Sequence, residues 1–81
     1  MIEAALAAAS SKDLDFLHAM AEDDGASTAA DIGHRLRART NLVANYRARL
    51  LASGLIEAAG HGKVDFAIPG LRQHLRAQTR A

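Results

Sequence analysis

The apolar positions of this chain recur with a helical period through most of its length, then switch to alternation towards the C-terminus. Ile2, Ala5, Leu6 and Ala9 fall at three- and four-residue spacing, which predicts a short first helix over residues 1–10. Ser10 and Ser11 interrupt it, and Ser11 is placed to cap a second helix. In that helix Leu14 pairs with Leu17, Phe16 with Met20 and Leu17 with Ala21, giving a broad buried face. Glu22-Asp23-Asp24-Gly25 ends it, because carboxylates are unfavourable at the negative end of the helix dipole. Thr28-Ala29-Ala30-Asp31 is close to a capping box and opens a third helix, with Ala29, Ile32 and Leu36 on its buried stripe.

The stretch Arg37 to Thr40 breaks the pattern, Asn41 can cap a longer helix, and Gly54 closes that helix as its C-cap. Residues 28–53 therefore read as a helix-turn-helix. On a wheel centred on Leu50, the residues Leu42, Val43 and Tyr46 fall on the buried side, and Asn41, Ala44, Asn45, Ala48 and Ala52 fall opposite. Arg49 and Leu51 sit on the flanks. Arg47 lies nearer the buried side, so its stem must carry the charge outward.

After Gly54 the period changes. Leu55 to Ala59 reads as a strand, Gly60-His61-Gly62 as a tight turn, and Lys63 to Ile68 as a second strand with Val64, Phe66 and Ile68 facing one way. Pro69 ends that strand and can open a last helix over residues 69–79 at its first position. There Leu71 and Leu75 form an apolar seam, and Arg72, Arg76 and Arg80 a basic one. The predicted fold is α+β and mostly helical. It is a single winged helix-turn-helix domain over residues 1–81, with a two-stranded wing over residues 55–68 and flanking N- and C-terminal helices.

Composition sharpens this picture. Alanine supplies much of the 49% hydrophobic content. The core must rest on a few larger side chains: Leu14, Phe16, Leu17, Ile32, Leu36, Val43, Tyr46, Leu50, Leu55, Ile56, Val64, Phe66, Ile68, Leu71 and Leu75. A chain of 81 residues has little room for a deep substrate cleft, so no small-molecule substrate is expected. The absence of cysteine excludes disulfides and thiolate metal sites and fits a reducing cytoplasm, where the chain is expected to reside. The longest apolar run, Ala4 to Ala9, is far short of a membrane span. No cationic stretch precedes an apolar core at the N-terminus, so no secretory signal is read there.

Charge is segregated along the chain. Residues 1–31 carry one lysine against seven carboxylates, a net −6, whereas residues 32–81 carry eight arginines and one lysine against two carboxylates, a net +7. Such asymmetry points either to a face for an anionic partner or to charge balance within the fold. In a helix-turn-helix the second helix of the pair usually enters the major groove. Asn41 and Asn45 on it can read base edges or bind phosphate, unless Asn41 serves only as the cap. Arg47 and Arg49 can bind phosphate or guanine, or form salt bridges to the acidic half. His61 and Lys63 at the hairpin tip can press a cation into a minor groove, or form an ordinary solvated turn. Arg35, Arg37 and Arg39 can clamp the backbone beside the helix, or serve as surface charge.

No catalytic signature is present. His18, His34, His61 and His74 lack close ligand spacing, and Asp13 and Asp15 point to different sides of a helix. Ser10 and Ser11 have no local base, and there is no glycine-rich phosphate loop. The chain is expected to be neither an enzyme nor a cofactor binder.

Tyr46-Arg47-Ala48-Arg49-Leu50-Leu51-Ala52-Ser53-Gly54-Leu55-Ile56, followed by Gly60-His61-Gly62-Lys63-Val64-Asp65-Phe66-Ala67-Ile68-Pro69, is similar to the C-terminal winged-helix domain of bacterial, especially actinobacterial, AAA-type ATPases. The resemblance covers roughly residues 12–78 and extends distantly to the winged helix of origin-recognition initiators. It implies a module whose nucleotide-binding core lies elsewhere, since no Walker motif is present. The partners it implies are duplex DNA, or alternatively the ATPase core of the parent chain or a neighbouring subunit.

Overall fold

A computed structural model describes residues 2–79. It contains five helices and three short strands: α1 (Ile2–Leu6), α2 (Ser11–Met20), β1 (Ser27–Thr28), α3 (Ala29–Leu36), α4 (Thr40–Ser53), β2 (Ile56–Ala58), β3 (Lys63–Phe66) and α5 (Leu71–Thr79). The class is α+β with an antiparallel sheet, as expected, but the sheet has three strands in the order β1-β3-β2 rather than two. β2 meets β3 through Ile56↔Phe66, Glu57↔Asp65 and Ala58↔Val64, and β1 adds Ser27↔Val64 and Thr28↔Lys63 on the other side. Periodicity could not reveal β1, because two residues carry no period.

Local chemistry explains where each helix starts. α2 is capped by Ser10 and not Ser11. The Ser10 hydroxyl accepts the N–H of Asp13 at 3.1 Å, and the Asp13 carboxylate accepts the N–H of Ser10 at 3.1 Å. Three residues beyond Ser11 stands Leu14, which could return no such bond. This reciprocal cap takes residues 7–10 out of the first helix, so α1 stops at Leu6; Met1, at the start of the predicted segment, lies outside the described residues. Losing such a cap costs about 1 kcal/mol. Thr28 caps α3, accepting the N–H of Asp31 at 3.1 Å.

α3 and α4 end in the same six-residue closure. At α4, Leu55 N–H bonds to the Leu50 carbonyl and Gly54 N–H to that of Leu51, with Gly54 left-handed at φ 82°. At α3, Ala38 N–H bonds to the Gly33 carbonyl and Arg37 N–H to that of His34. Here the left-handed position is held by Arg37 at φ 54°, the only non-glycine residue with positive φ among those described. This closure leaves so little chain that α4 starts at once. Arg39 is its extended N-cap with no side-chain bond, and Val43 N–H closes the first turn on the Arg39 carbonyl at 3.0 Å. Asn41 is therefore an exposed residue inside the first turn and does not cap the helix.

The core runs through all layers, with Phe16, Leu17, Ile32, Leu50, Val64, Leu71 and Leu75 essentially inaccessible. Leu14, Leu36, Tyr46, Phe66 and Ile68, predicted as core, pack against it but remain half-buried. Leu42 departs from expectation, being 43% exposed. Its partners on the wheel explain this. Val43 and Leu50 are buried and Arg47 is half-buried, which turns the inward direction roughly 30° from Leu50 and away from Leu42.

The β2–β3 hairpin has fewer strand residues than predicted, since Leu55, Ala59 and residues 67–68 lie outside the strands. α5 begins at Leu71 rather than Pro69, because Gly70 takes φ 85°, outside the helical region. The Gly70 carbonyl then accepts the first helical bond from His74 N–H at 3.0 Å.

Candidate nucleic-acid interface

α4 presents Asn41, Ala44, Asn45, Ala48 and Ala52 outward, all exposed. The face is small and uncharged, and it allows close approach of a flat partner. At the tip of the β2–β3 hairpin, Gly60 and Gly62 at φ 108° and 72° carry exposed His61 between them and exposed Lys63 after them. The tip is tied to the start of α3 by the Ala29 N–H bond to the Gly62 carbonyl at 3.4 Å.

The fold divides the basic half of the chain into two sets. Arg35, Arg49, Arg72 and Arg76 are held by carboxylates within the domain. Arg35 grips Asp23 with both terminal nitrogens at 2.8 and 2.9 Å and also donates to the Ala19 carbonyl at 3.0 Å. Arg76 donates to the Ala21 carbonyl at 2.7 Å and to Asp24 at 2.9 Å. Arg72 pairs with Asp65 and lies over the Phe66 ring. These two make the predicted basic seam of α5 an internal clamp; its third member, Arg80, lies outside the described residues.

Arg49 bonds to Asp13 at 3.0 Å and lies 5.9 Å from the Tyr46 ring centre. Its side chain is still 60% exposed, whereas that of Asp13 is 6% exposed. Asp13 was not anticipated in this role, although the Ser10-x-x-Asp13 spacing announces the cap that buries it. The second set comprises Arg37, Arg39, Arg47 and Lys63, which enter no ion pair among the described residues. Lys12 of the acidic half is likewise outside those pairs. Arg37, Arg39 and Lys63 are exposed and Arg47 is half-buried.

Arg37 and Arg47 come together on one groove between α3 and α4, a concavity of about 570 Å³ that also takes in His34 and Thr40. A second concavity of about 710 Å³ lies between α2, α3 and α5, lined by Asp15, Glu22, Arg35 and Arg76 among others. Its charges are mixed and largely paired.

The Arg35–Asp23 contact also perturbs the titration of its carboxylate. Asp23 is held down at a pKa of about 2 by the hydrogen bond from Arg35, then by that from the Ser27 hydroxyl at 2.7 Å. Arg35 is raised in turn by Asp23. The contact joins the bend after α2 to α3 and β1, fixing the platform from which α4 projects. No group of three metal-ligating side chains clusters among the described residues. No helix among them is long and apolar enough to cross a membrane.

A family model described as Domain of unknown function (DUF8462) matches residues 1–75, and the chain belongs to that family. No curated protein matches the chain.

Proposed function

We infer that the domain is a winged helix that binds duplex DNA mainly through its phosphates. The order α2-β1-α3-α4-β2-β3, with the hairpin beside the second helix of the pair, supports that fold assignment. One observation carries the function. In the basic half of the chain the cations that enter no ion pair among the described residues are Arg37 and Arg39 before α4, Arg47 on it and Lys63 on the β2–β3 hairpin, while α4 exposes a neutral face of small residues. Such a surface neutralises phosphates and reads little of the base edges, with Asn41 and Asn45 as the side chains able to reach them. His61 accompanies Lys63 at the tip. Arg49 remains on the flank, where its bond to Asp13 makes it first a tie between α4 and α2.

Salt dependence tests this reading. A labelled duplex should bind at low salt and weaken steeply as salt rises, because phosphate contacts release counterions. In Arg39→Gln/Arg47→Gln/Lys63→Gln the slope should shallow by about one unit per lost contact. Absence of binding at low salt refutes the reading.

The second reading is docking on the ATPase core of a parent chain, in keeping with the resemblance of residues 46–69. Exposed Leu42, next to half-buried Tyr46 on α4, favours it. Leu42→Ser would then weaken association with that core and leave duplex affinity unchanged.

A further inference from the structure

The groove between α3 and α4 has an apolar floor that phosphate binding leaves unused. Ala30, Gly33, Val43 and Ala44 line it together with Arg37 and Arg47, which have no carboxylate partner among the described residues. α3 and α4 approach closely at Gly33, where a Cβ would lie 3.4 Å from the Ala38 carbonyl oxygen and from Val43 Cγ2. At about 570 Å³ the space falls within the size range of small-molecule sites. A sugar-phosphate backbone has no apolar body to lay on such a floor.

We propose that this groove binds a small organic anion, with an aromatic or branched apolar body and a single phosphate or carboxylate head. The body covers the small floor residues. The head takes N–H donors from Arg37 and Arg47, whose planar guanidinium groups match both oxyanions with paired hydrogen bonds. The ligand is a regulator rather than a substrate, since it shares both arginines with the duplex face and competes for them. The competition rests on the nucleic-acid reading; the site itself does not.

Phenyl phosphate is the probe, with inorganic phosphate and phenol as its two halves, all at one ionic strength. Amide shifts of the isotope-labelled full chain report where each binds. Phenyl phosphate should shift the amides of Ala30, Gly33 and Ala44 saturably, and each half should bind at least about tenfold more weakly. Ala30→Leu, at an exposed helical position, fills the floor and should lower phenyl phosphate affinity about tenfold while leaving duplex affinity unchanged. Arg47→Gln should lower both. Three results overturn the proposal: no saturable shifts in the groove, inorganic phosphate binding as tightly as phenyl phosphate, or Ala30→Leu weakening ligand and duplex alike. Phenyl phosphate bound in the groove of a domain that ignores duplex would sustain this site and defeat the nucleic-acid reading.

Discussion

Replacing Arg37 with glycine should make the domain more stable and a poorer duplex binder. Arg37 ends α3 at φ 54°, the place that glycine fills at the end of α4. A side chain in that left-handed conformation costs about 1–2 kcal/mol through the clash of its Cβ with the following carbonyl. Glycine returns roughly 0.5–1 kcal/mol of this as extra freedom in the unfolded chain. The Arg37 side chain is exposed and forms no ion pair among the described residues, so little packing is lost. The net expectation is a gain of about 0.5–1 kcal/mol, or roughly 2–8 °C in melting temperature for a domain of this size. Arg37→Ala keeps the Cβ and drops the charge, so it should melt near wild type. Both variants should lose one phosphate contact and shallow the salt slope by about 0.9. Thermal unfolding by circular dichroism and duplex titration at several salt concentrations read the two effects separately. A glycine variant melting at or below wild type refutes the strain argument. Wild-type slopes in both variants remove Arg37 from the interface.

Leu50→Ala, at the centre of the core face of α4, should cost about 2–5 kcal/mol in denaturant unfolding; a midpoint within error of wild type contradicts the packing described here. Asp23, held near pKa about 2 against 3.8 when unperturbed, contributes stability that is present above the unfolded value and lost as pH falls from about 4 to about 2. Melting of wild type should drop through that window by more than melting of Asp23→Asn, and parallel curves would discount the Arg35 and Ser27 bonds. Arg49→Gln leaves the buried Asp13 carboxylate short of a charged partner and should cost about 1–3 kcal/mol. Its salt slope for duplex should match wild type if Arg49 is a tie rather than a phosphate ligand.

The long helices, the hairpin and the seam of Leu71 and Leu75 were legible because each rests on a period sustained over several residues. What stayed hidden depends on single bonds or on partners distant in sequence. Ser10 and Ser11 look alike until the residue three positions on is weighed, and only Asp13 can return the bond. Leu42 and Val43 are adjacent and both apolar, and the half-burial of Arg47 decides which faces inward. The basic half reads as one reservoir of positive charge, yet the acidic bend after α2 captures Arg35 and Arg76 from positions 12 and 52 residues away. Which cations remain is a property of the fold, and the candidate interface is that remainder.

Leu71 and Leu75 on α5 complete the core around Phe16 and Leu17 of α2, and Arg76 bonds to the carbonyls of Ala21 and Asp23 just beyond that helix. A ribosome delivers Leu17 first and Leu71 54 positions later, a wait of roughly 3–11 s at ordinary synthesis rates. Through that interval α2 lacks the part of its cover that α5 supplies. Five of the eight arginines, at positions 35, 37, 39, 47 and 49, are made within it, so Arg35 can reach Asp23 before α5 exists, whereas Arg72 and Arg76, the partners of Asp65 and Asp24, arrive only with α5 itself. The last helix thus closes the core and the remaining ion pairs in one step.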